Sequence, residues 1–357
     1  MHEISLGGAS LPNGEFYPLW TILIECLEQA GLCIKDKADF HVSLDHEERS
    51  YQKFILGGGH PKNAILVRLE TNTVFPGQYS PRIENKYGFI LTFGANSKLR
   101  NATPALGHPY VHSKNPTFRT RDEDNRSSIF QSRFNENTFD VASWKNRATL
   151  ISYIGGNKIG LNAAGNYDYR RKLVAALIPQ GLKVYGPYWN GSLWEKFYNR
   201  SATFLHGLRS HQIPNFFHIY ADLFSKYPGA IGTVSEKDTV LLDSKFTLVI
   251  ENSNDILTEK LFDALLAGSI PIFFGPDLND YGLPDNIFIN LRGNERDILT
   301  RIAQMSDNEI IAYLKNIAAF LNDQSQYGKW VAEYVFQETA RLIYQYIVHG
   351  SGNKLCT

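Results

Sequence analysis

The sequence predicts an α/β fold in two domains, on three observations. Its 357 residues exceed one ordinary domain and suit two. Short apolar runs rich in β-formers are closed by glycine, as in Tyr87 to Gly94 and Ile270 to Gly275. Segments with apolar residues at helical spacing separate such runs, and that alternation implies parallel sheets, at least in the second half.

In order along the chain, Phe16 to Ala30 reads as an amphipathic helix stopped by Gly31. Phe40 to Leu44, Asn63 to Leu69 and Tyr87 to Phe93 read as strands. The stretch from Asn96 to about Ser143, rich in Asn, Arg, Asp and Ser, lacks periodicity and is expected to be irregular. A linker is expected over Ala142 to Arg147, which divides the chain into domains 1–145 and 146–357. In the second domain, Ala148 to Ile154 is a strand, Tyr169 to Ile178 a helix and Leu182 to Tyr185 a strand. Phe246 to Ile250 is a nearly continuous apolar run of the kind buried in a parallel sheet. Thr258 to Ala267 is a helix, and Ile270 to Phe274 a strand that tolerates Pro271 near its start. Helices follow over Glu295 to Leu321, broken near Ser306, and over Gly328 to Val348.

Lys plus Arg and Asp plus Glu are 36 each, without a long basic run, so nucleic acid is not an expected partner. Aromatic residues reach 13% of the chain, which is first of all core material. The most apolar early segment, Trp20 to Leu27, contains Glu25 and cannot span a bilayer. The N-terminus lacks the features of a signal peptide. Cys26, Cys33 and Cys356 are too few for a disulfide framework. Together these point to the cytoplasm, with peripheral membrane association left open.

The chemistry concentrates in Phe246 to Pro276. A buried strand delivers Glu251, Asn252 and Ser253 to the carboxyl edge of its sheet, where open α/β sheets bind ligands. Thr258 then stands as a helix N-cap, with Glu259 and Lys260 in the first turn. Leu261, Phe262, Leu265 and Leu266 form the apolar stripe, leaving Glu259, Lys260 and Asp263 off it. A lysine at a helix N-terminus opposes the helix dipole, so its presence implies an anion there, such as a diphosphate.

This segment, with Glu251-Asn252-Ser253 followed by Thr258-Glu259-Lys260 and the helix and strand to Gly275, resembles the C-terminal signature of family 10 fucosyltransferases. Ser244-Lys245-Phe246 and Pro284 to Asn290 resemble its flanks. A weaker likeness covers Leu150 to Asn157, Arg170 with Leu177, and Lys183 to Gly186. A third covers Leu66 to Glu70, Pro76 and Tyr87 to Phe93. The resemblance is dense between about 148 and 290. The family usually has tyrosine where this chain has Ile256, and that tyrosine contacts the donor.

The resemblance implies a GT-B-like architecture, two Rossmann-like domains facing a cleft, with C-terminal helices bracing them. It implies an inverting transfer of L-fucose from GDP-fucose to a hydroxyl of an oligosaccharide or glycoconjugate. Arg170 (with Arg171 as the close alternative), Lys260 and the helix end at Thr258 would hold the diphosphate. Glu259 or Asn252 would hold the ribose or donor sugar, Glu251 would contact or support the donor, and Glu70 would be the general base. Neither a metal nor another cofactor is implied.

Two alternatives stand beside this reading. One keeps the fold and changes the donor to another nucleotide-activated hexose, as Ile256 suggests; the other is a non-catalytic glycan- or nucleotide-binding relative. Asp122-Glu123-Asp124 spells the D-x-D that holds a divalent cation in other glycosyltransferases, but it lies in a charged loop with no strand before it. His206, His211 and His218 lack metal-ligand spacing and read as packing or acceptor-cleft residues. No phosphate-binding Gly-Lys-Ser/Thr loop or Gly-x-Ser-x-Gly elbow is present.

Overall fold

A computed structural model of the chain describes residues 2–8, 19–94, 102–103, 140–161, 165–209, 216–220, 222–235, 237–293, 295 and 297–349. Contacts divide the chain into two units, Met1–Asp124 with Gly328–Thr357, and Asn125–Tyr327.

The first unit holds strands β1 (His2–Gly8), β2 (Leu32–Ile34), β3 (Phe40–Leu44), β4 (Ala64–Arg68), β5 (Phe89–Phe93) and β6 (Ala102–Thr103). All pairings are parallel, in the order β2-β1-β3-β4-β5-β6. Alternate residues of β4 serve opposite faces, as the period of a strand requires. Ile65 and Val67 join the larger core with the helices Leu19–Gln29 and Ala332–His349, while Ala64 and Leu66 pack with Tyr51, Phe54 and Ile90. The sheet is thus covered on both faces, as parallel sheets need to be.

The second unit holds β7 (Thr149–Ile154), β8 (Lys183–Tyr185), β9 (Ala230–Gly232), β10 (Ser244–Ile250), β11 (Ile270–Phe274) and β12 (Ile289–Asn290). These are also all parallel, in the order β12-β11-β10-β7-β8-β9. Counted from β7, that is the 3-2-1-4-5-6 order of dinucleotide-binding sheets, and strand order reverses between β7 and β10.

Two expectations about domain limits are corrected. The expected linker is folded structure of the second unit: Asp140 caps the helix Val141–Lys145, and Trp144 packs edge-on to Phe246. Arg147 donates to the carbonyls of Ser244 and Ala267, both at 2.7 Å. The last helix, expected in the second domain, packs on the first sheet instead. Val335, Phe336, Ala340 and Ile343 are buried in that core, and the Tyr346 hydroxyl donates to the Lys62 carbonyl at 2.6 Å. The break near Ser306 is a helix start, where Ser306 and Glu309 form a reciprocal capping box. Asp122 to Asp124, His211 and Cys356 lie outside the described residues, as do the side chains of His206 and His218.

Candidate functional site

Open α/β sheets bind ligands where strand order reverses, beyond the carboxyl ends of the strands. In the second unit that point lies past Ile154 and Ile250, and six of the seven expected site residues gather around it: Arg170, Glu251, Asn252, Thr258, Glu259 and Lys260. Glu70 belongs to the first unit.

Glu251 follows β10 and is fully buried. Such a carboxylate needs partners, and three groups supply them. The Thr258 N–H donates to Oε1 at 2.9 Å, the Thr258 hydroxyl donates to the same carboxylate, and Lys260 Nζ lies 2.9 Å from Oε2. Lys260 Nζ also donates to Thr258 Oγ1 at 2.7 Å. Burial draws the Lys260 ammonium down in pKa, but the Glu251 carboxylate, then Glu259, push it up further, and the net direction is upward. Lys260 is therefore held as a cation. A Cβ at Gly275 would come within 3.0 Å of Glu251 Cβ, so glycine at the end of β11 makes room for this carboxylate.

This geometry amends two expectations. Thr258 occupies the N-cap position of Glu259–Leu266, but its side chain makes no cap hydrogen bond, having turned to Glu251 and Lys260. The anion implied by a lysine in the first turn is present within the chain, as Glu251. Asp263, expected off the apolar stripe, is buried and ion-paired with Lys237, because residues 261–266 are buried on all sides.

Of the two candidate arginines, Arg170 is the one that reaches Asn252. It is buried on the helix Tyr167–Leu177, with its guanidinium 4.3 Å from the centre of the Tyr167 ring. Nη1 donates to the Tyr153 hydroxyl at 3.2 Å and reaches Asn252 Oδ1 at 3.5 Å. Its Nε and Nη2 are buried with no hydrogen-bond partner among the described residues. Buried polar groups are rarely left so, and a planar guanidinium suits an oxyanion. Arg171 faces elsewhere. It pairs with Asp168 and, at 3.6 Å, with Asp222, which also accepts two bonds from Arg200 at 3.0 and 3.1 Å. Arg200 donates to the Asn157 carbonyl and Arg171 to that of Lys158, so this ion cluster braces the loop after β7.

Asn166, Tyr281 and Arg292 were not legible as site residues. Asn166 ties the two halves of the site, donating through its side chain to Glu251 O and Asn254 Oδ1, both at 3.1 Å, and through its N–H to Asn252 O at 2.9 Å. The Tyr281 hydroxyl donates to Asp255 O and accepts from Leu257 N–H, pinning the loop before Thr258. Arg292 lies over the Phe274 ring and donates to Gly275 O. Their only sequence signal is polarity near glycine-closed strands, which many loops share. Ile256 is buried, so it takes no place on the open edge. Among the described residues, no group of three His, Cys, Asp or Glu is placed to hold a metal ion.

In the first unit, Glu70 stands in the bend after β4, half-buried. Its backbone is clamped from both sides. The N–H donates to Asp45 Oδ1 at 3.2 Å, and the carbonyl accepts from Gln78 Nε2 at 3.2 Å and the Tyr79 hydroxyl at 2.9 Å. Asp45 Oδ1 also accepts from Leu69 N–H and Gln78 Nε2. Burial pushes the Asp45 carboxyl upward in pKa, against these donors.

Comparison with known proteins bears on the same region. Residues 218–357 match the family model described as glycosyltransferase family 10 (fucosyltransferase) C-term. This segment of the chain is similar to the C-terminal domain of that family. The 4-galactosyl-N-acetylglucosaminide 3-alpha-L-fucosyltransferase 9 of Cricetulus griseus is 33% identical over 106 residues, 28% of this chain and 25% of that protein. Its Homo sapiens counterpart is 32% identical over the same length. The match thus spans about a quarter of these curated relatives. A crystal structure of alpha1,3-fucosyltransferase with GDP superposes with a TM-score of 0.53 at 13% identity, covering 98% of this chain and 90% of that one. A further crystal structure, described as alpha1,3-fucosyltransferase, gives 0.52. At such identity the likeness is one of fold, two parallel α/β sheets with their helices. The matched segment contains Glu251, Asn252, Thr258, Glu259 and Lys260, whereas Arg170 and Glu70 lie upstream of it.

Proposed function

We propose that the chain is an inverting fucosyltransferase that moves L-fucose from GDP-fucose to a glycan hydroxyl. The observation that carries this reading is the buried Arg170, with Nε and Nη2 unpartnered among the described residues, beside a cationic Lys260 at the switch point of a sheet that continues into a segment matching the family 10 model. The curated relatives matched over 106 residues of the chain are named as 3-alpha-L-fucosyltransferases, which supports the same donor and reaction.

In this mechanism the diphosphate of the donor lies against Arg170 and Lys260, with Asn252 and Glu259 at the ribose or sugar. An acceptor hydroxyl attacks the anomeric carbon as its proton passes to Glu70, and the bond to the β-phosphate oxygen breaks. GDP leaves with its developing charge met by the two cations, the role a divalent metal has in other transferases. Attack opposite the leaving group turns GDP-β-L-fucose into an α-L-fucoside. No metal or other cofactor enters, and the reaction is placed in the cytoplasm.

The test is transfer and GDP release by the purified chain with EDTA present, beside Lys260→Ala and Glu70→Ala. Activity that survives EDTA, is lost with GDP binding in Lys260→Ala, and is lost with binding retained in Glu70→Ala is expected. A wild type that binds neither GDP nor GDP-fucose overturns the donor assignment. The burial of Ile256 at the position of the family's donor-contacting tyrosine favours a second reading, another nucleotide-activated hexose, which a donor panel separates from the first.

A further inference from the structure

The helix Leu193–Arg209 is turned inside out relative to an ordinary surface helix. Two of its cations point inward. Lys196 and Arg200 are buried, the first donating to Ser225 O and the second forked onto Asp222. Its aromatic stripe points outward: Trp194 is 79% exposed and Tyr198 78%. Phe197, Leu205 and Leu208 continue that stripe and are also exposed.

The next helix extends the same face. Phe197 meets Tyr220 at 5.8 Å between ring centres, Tyr220 meets Phe216 at 4.5 Å, and Phe216 meets Phe217 at 6.1 Å. Phe217 is itself 85% exposed. These rings form one connected apolar surface of roughly 1,000 Å², taking 150–250 Å² for a whole aromatic side chain. The largest apolar patch on an ordinary monomer is about 300–600 Å².

From this we infer that the face is a homodimer interface, occupied by a second copy of the chain through the helices Leu193–Arg209 and Phe216–Tyr220. Three observations select that occupant. The open area meets the roughly 800 Å² that a stable interface takes from each partner. Its exposed rings, Trp194, Tyr198 and Phe217, are of the kind enriched in the core of a protein interface, and Lys196 and Arg200 are buried away from it. Equal totals of 36 acidic and 36 basic residues mean that two copies carry no net repulsion to overcome. A bilayer fits less well. Interfacial helices present Lys and Arg to lipid headgroups, and here both central cations are buried against Asp222 and Ser225. The Glu195 side chain is engaged in capping, accepting from Ser192 N–H at 2.7 Å. The inference is independent of the donor site and stands if the fucosyl reading fails.

The experiment is sedimentation velocity on the full chain, wild type beside Tyr198→Asp, Phe217→Asp and the control Leu56→Asp. All three positions are exposed, Leu56 at 85% in the first unit, so thermal unfolding should be unchanged. Wild type and Leu56→Asp are expected at twice the 40.4 kDa of the chain, with dimer affinity weakened at least 100-fold in the other two. A wild-type monomer at about 100 µM, far above the Kd of a stable dimer, overturns the proposal. So does a dimer indifferent to both face variants. A monomer that sediments with phosphatidylcholine vesicles and loses them in Phe217→Asp also overturns it, in favour of lipid.

Discussion

Lys260 Nζ lies 2.9 Å from Oε2 of the fully buried Glu251, so one lysine both neutralises an internal carboxylate and stands at the proposed donor edge. The two roles separate by mutation. Removing the cation alone strands a buried charge, and Lys260→Ala should cost about 3 kcal/mol in urea unfolding. Lys260→Met combined with Glu251→Gln should recover most of that stability and still fail to bind GDP in calorimetry. Recovery of GDP binding in the double variant would show that Lys260 has only a structural role.

Adjacent arginines should behave oppositely. Arg170→Met removes a guanidinium with two unpartnered nitrogens and should leave the melting temperature nearly unchanged while weakening GDP binding at least 10-fold. Arg171→Met breaks the pairing with Asp168 and Asp222 and should destabilise the second unit by about 3 kcal/mol. Equal effects of the two on GDP binding would contradict the assignment.

For the first unit, Glu70→Gln should lower kcat by about 100- to 10,000-fold, the usual contribution of a general base, with GDP affinity preserved. Asp45→Ala should lower kcat less, by releasing the N–H groups of Leu69 and Glu70. Asp45→Asn keeps an acceptor for both and should restore most of the rate. A rate in Asp45→Ala equal to wild type would remove Asp45 from that role.

Stability should fall in mild acid through His41. Burial lowers this imidazole from 6.5 to about 4, its Nε2 has no partner among the described residues, and the ring stacks on Phe54. Between those pH values the unfolded chain binds the proton and the folded chain does not, so stability drops as pH falls from 6.5 to 4. The whole span amounts to about 3 kcal/mol. Urea midpoints measured from pH 7 to 4.5 should show this slope, and His41→Gln should flatten it.

Much of this was readable before any coordinates. The run Phe246 to Ile250 became a strand because burial on both faces leaves a nearly unbroken apolar signature. Glu251, Thr258 and Lys260 could be placed at one sheet edge because they are neighbours in sequence, and local spacing determines local geometry. Other parts were unreadable for the converse reason. Asn166 meets Glu251 and Asn254 across 85 and 88 residues, and only the parallel pairing of β7 with β10 brings them together. The 13% of aromatic residues read as core, yet Trp194, Tyr198 and Phe217 lie outside, since composition carries no direction and the helix turns its cations inward to Asp222.

The sequence by itself determined the alternation of strand and helix, the donor-edge motif and its likeness to family 10, because these are properties of contiguous residues. Tertiary structure alone decided that Ala332–His349 belongs to the first sheet, that Arg170 rather than Arg171 faces the site, and that Thr258 serves Glu251 instead of the helix end. Each of those outcomes depends on which distant surface a side chain meets when apolar faces are buried and buried charges find partners, and no local pattern encodes that choice.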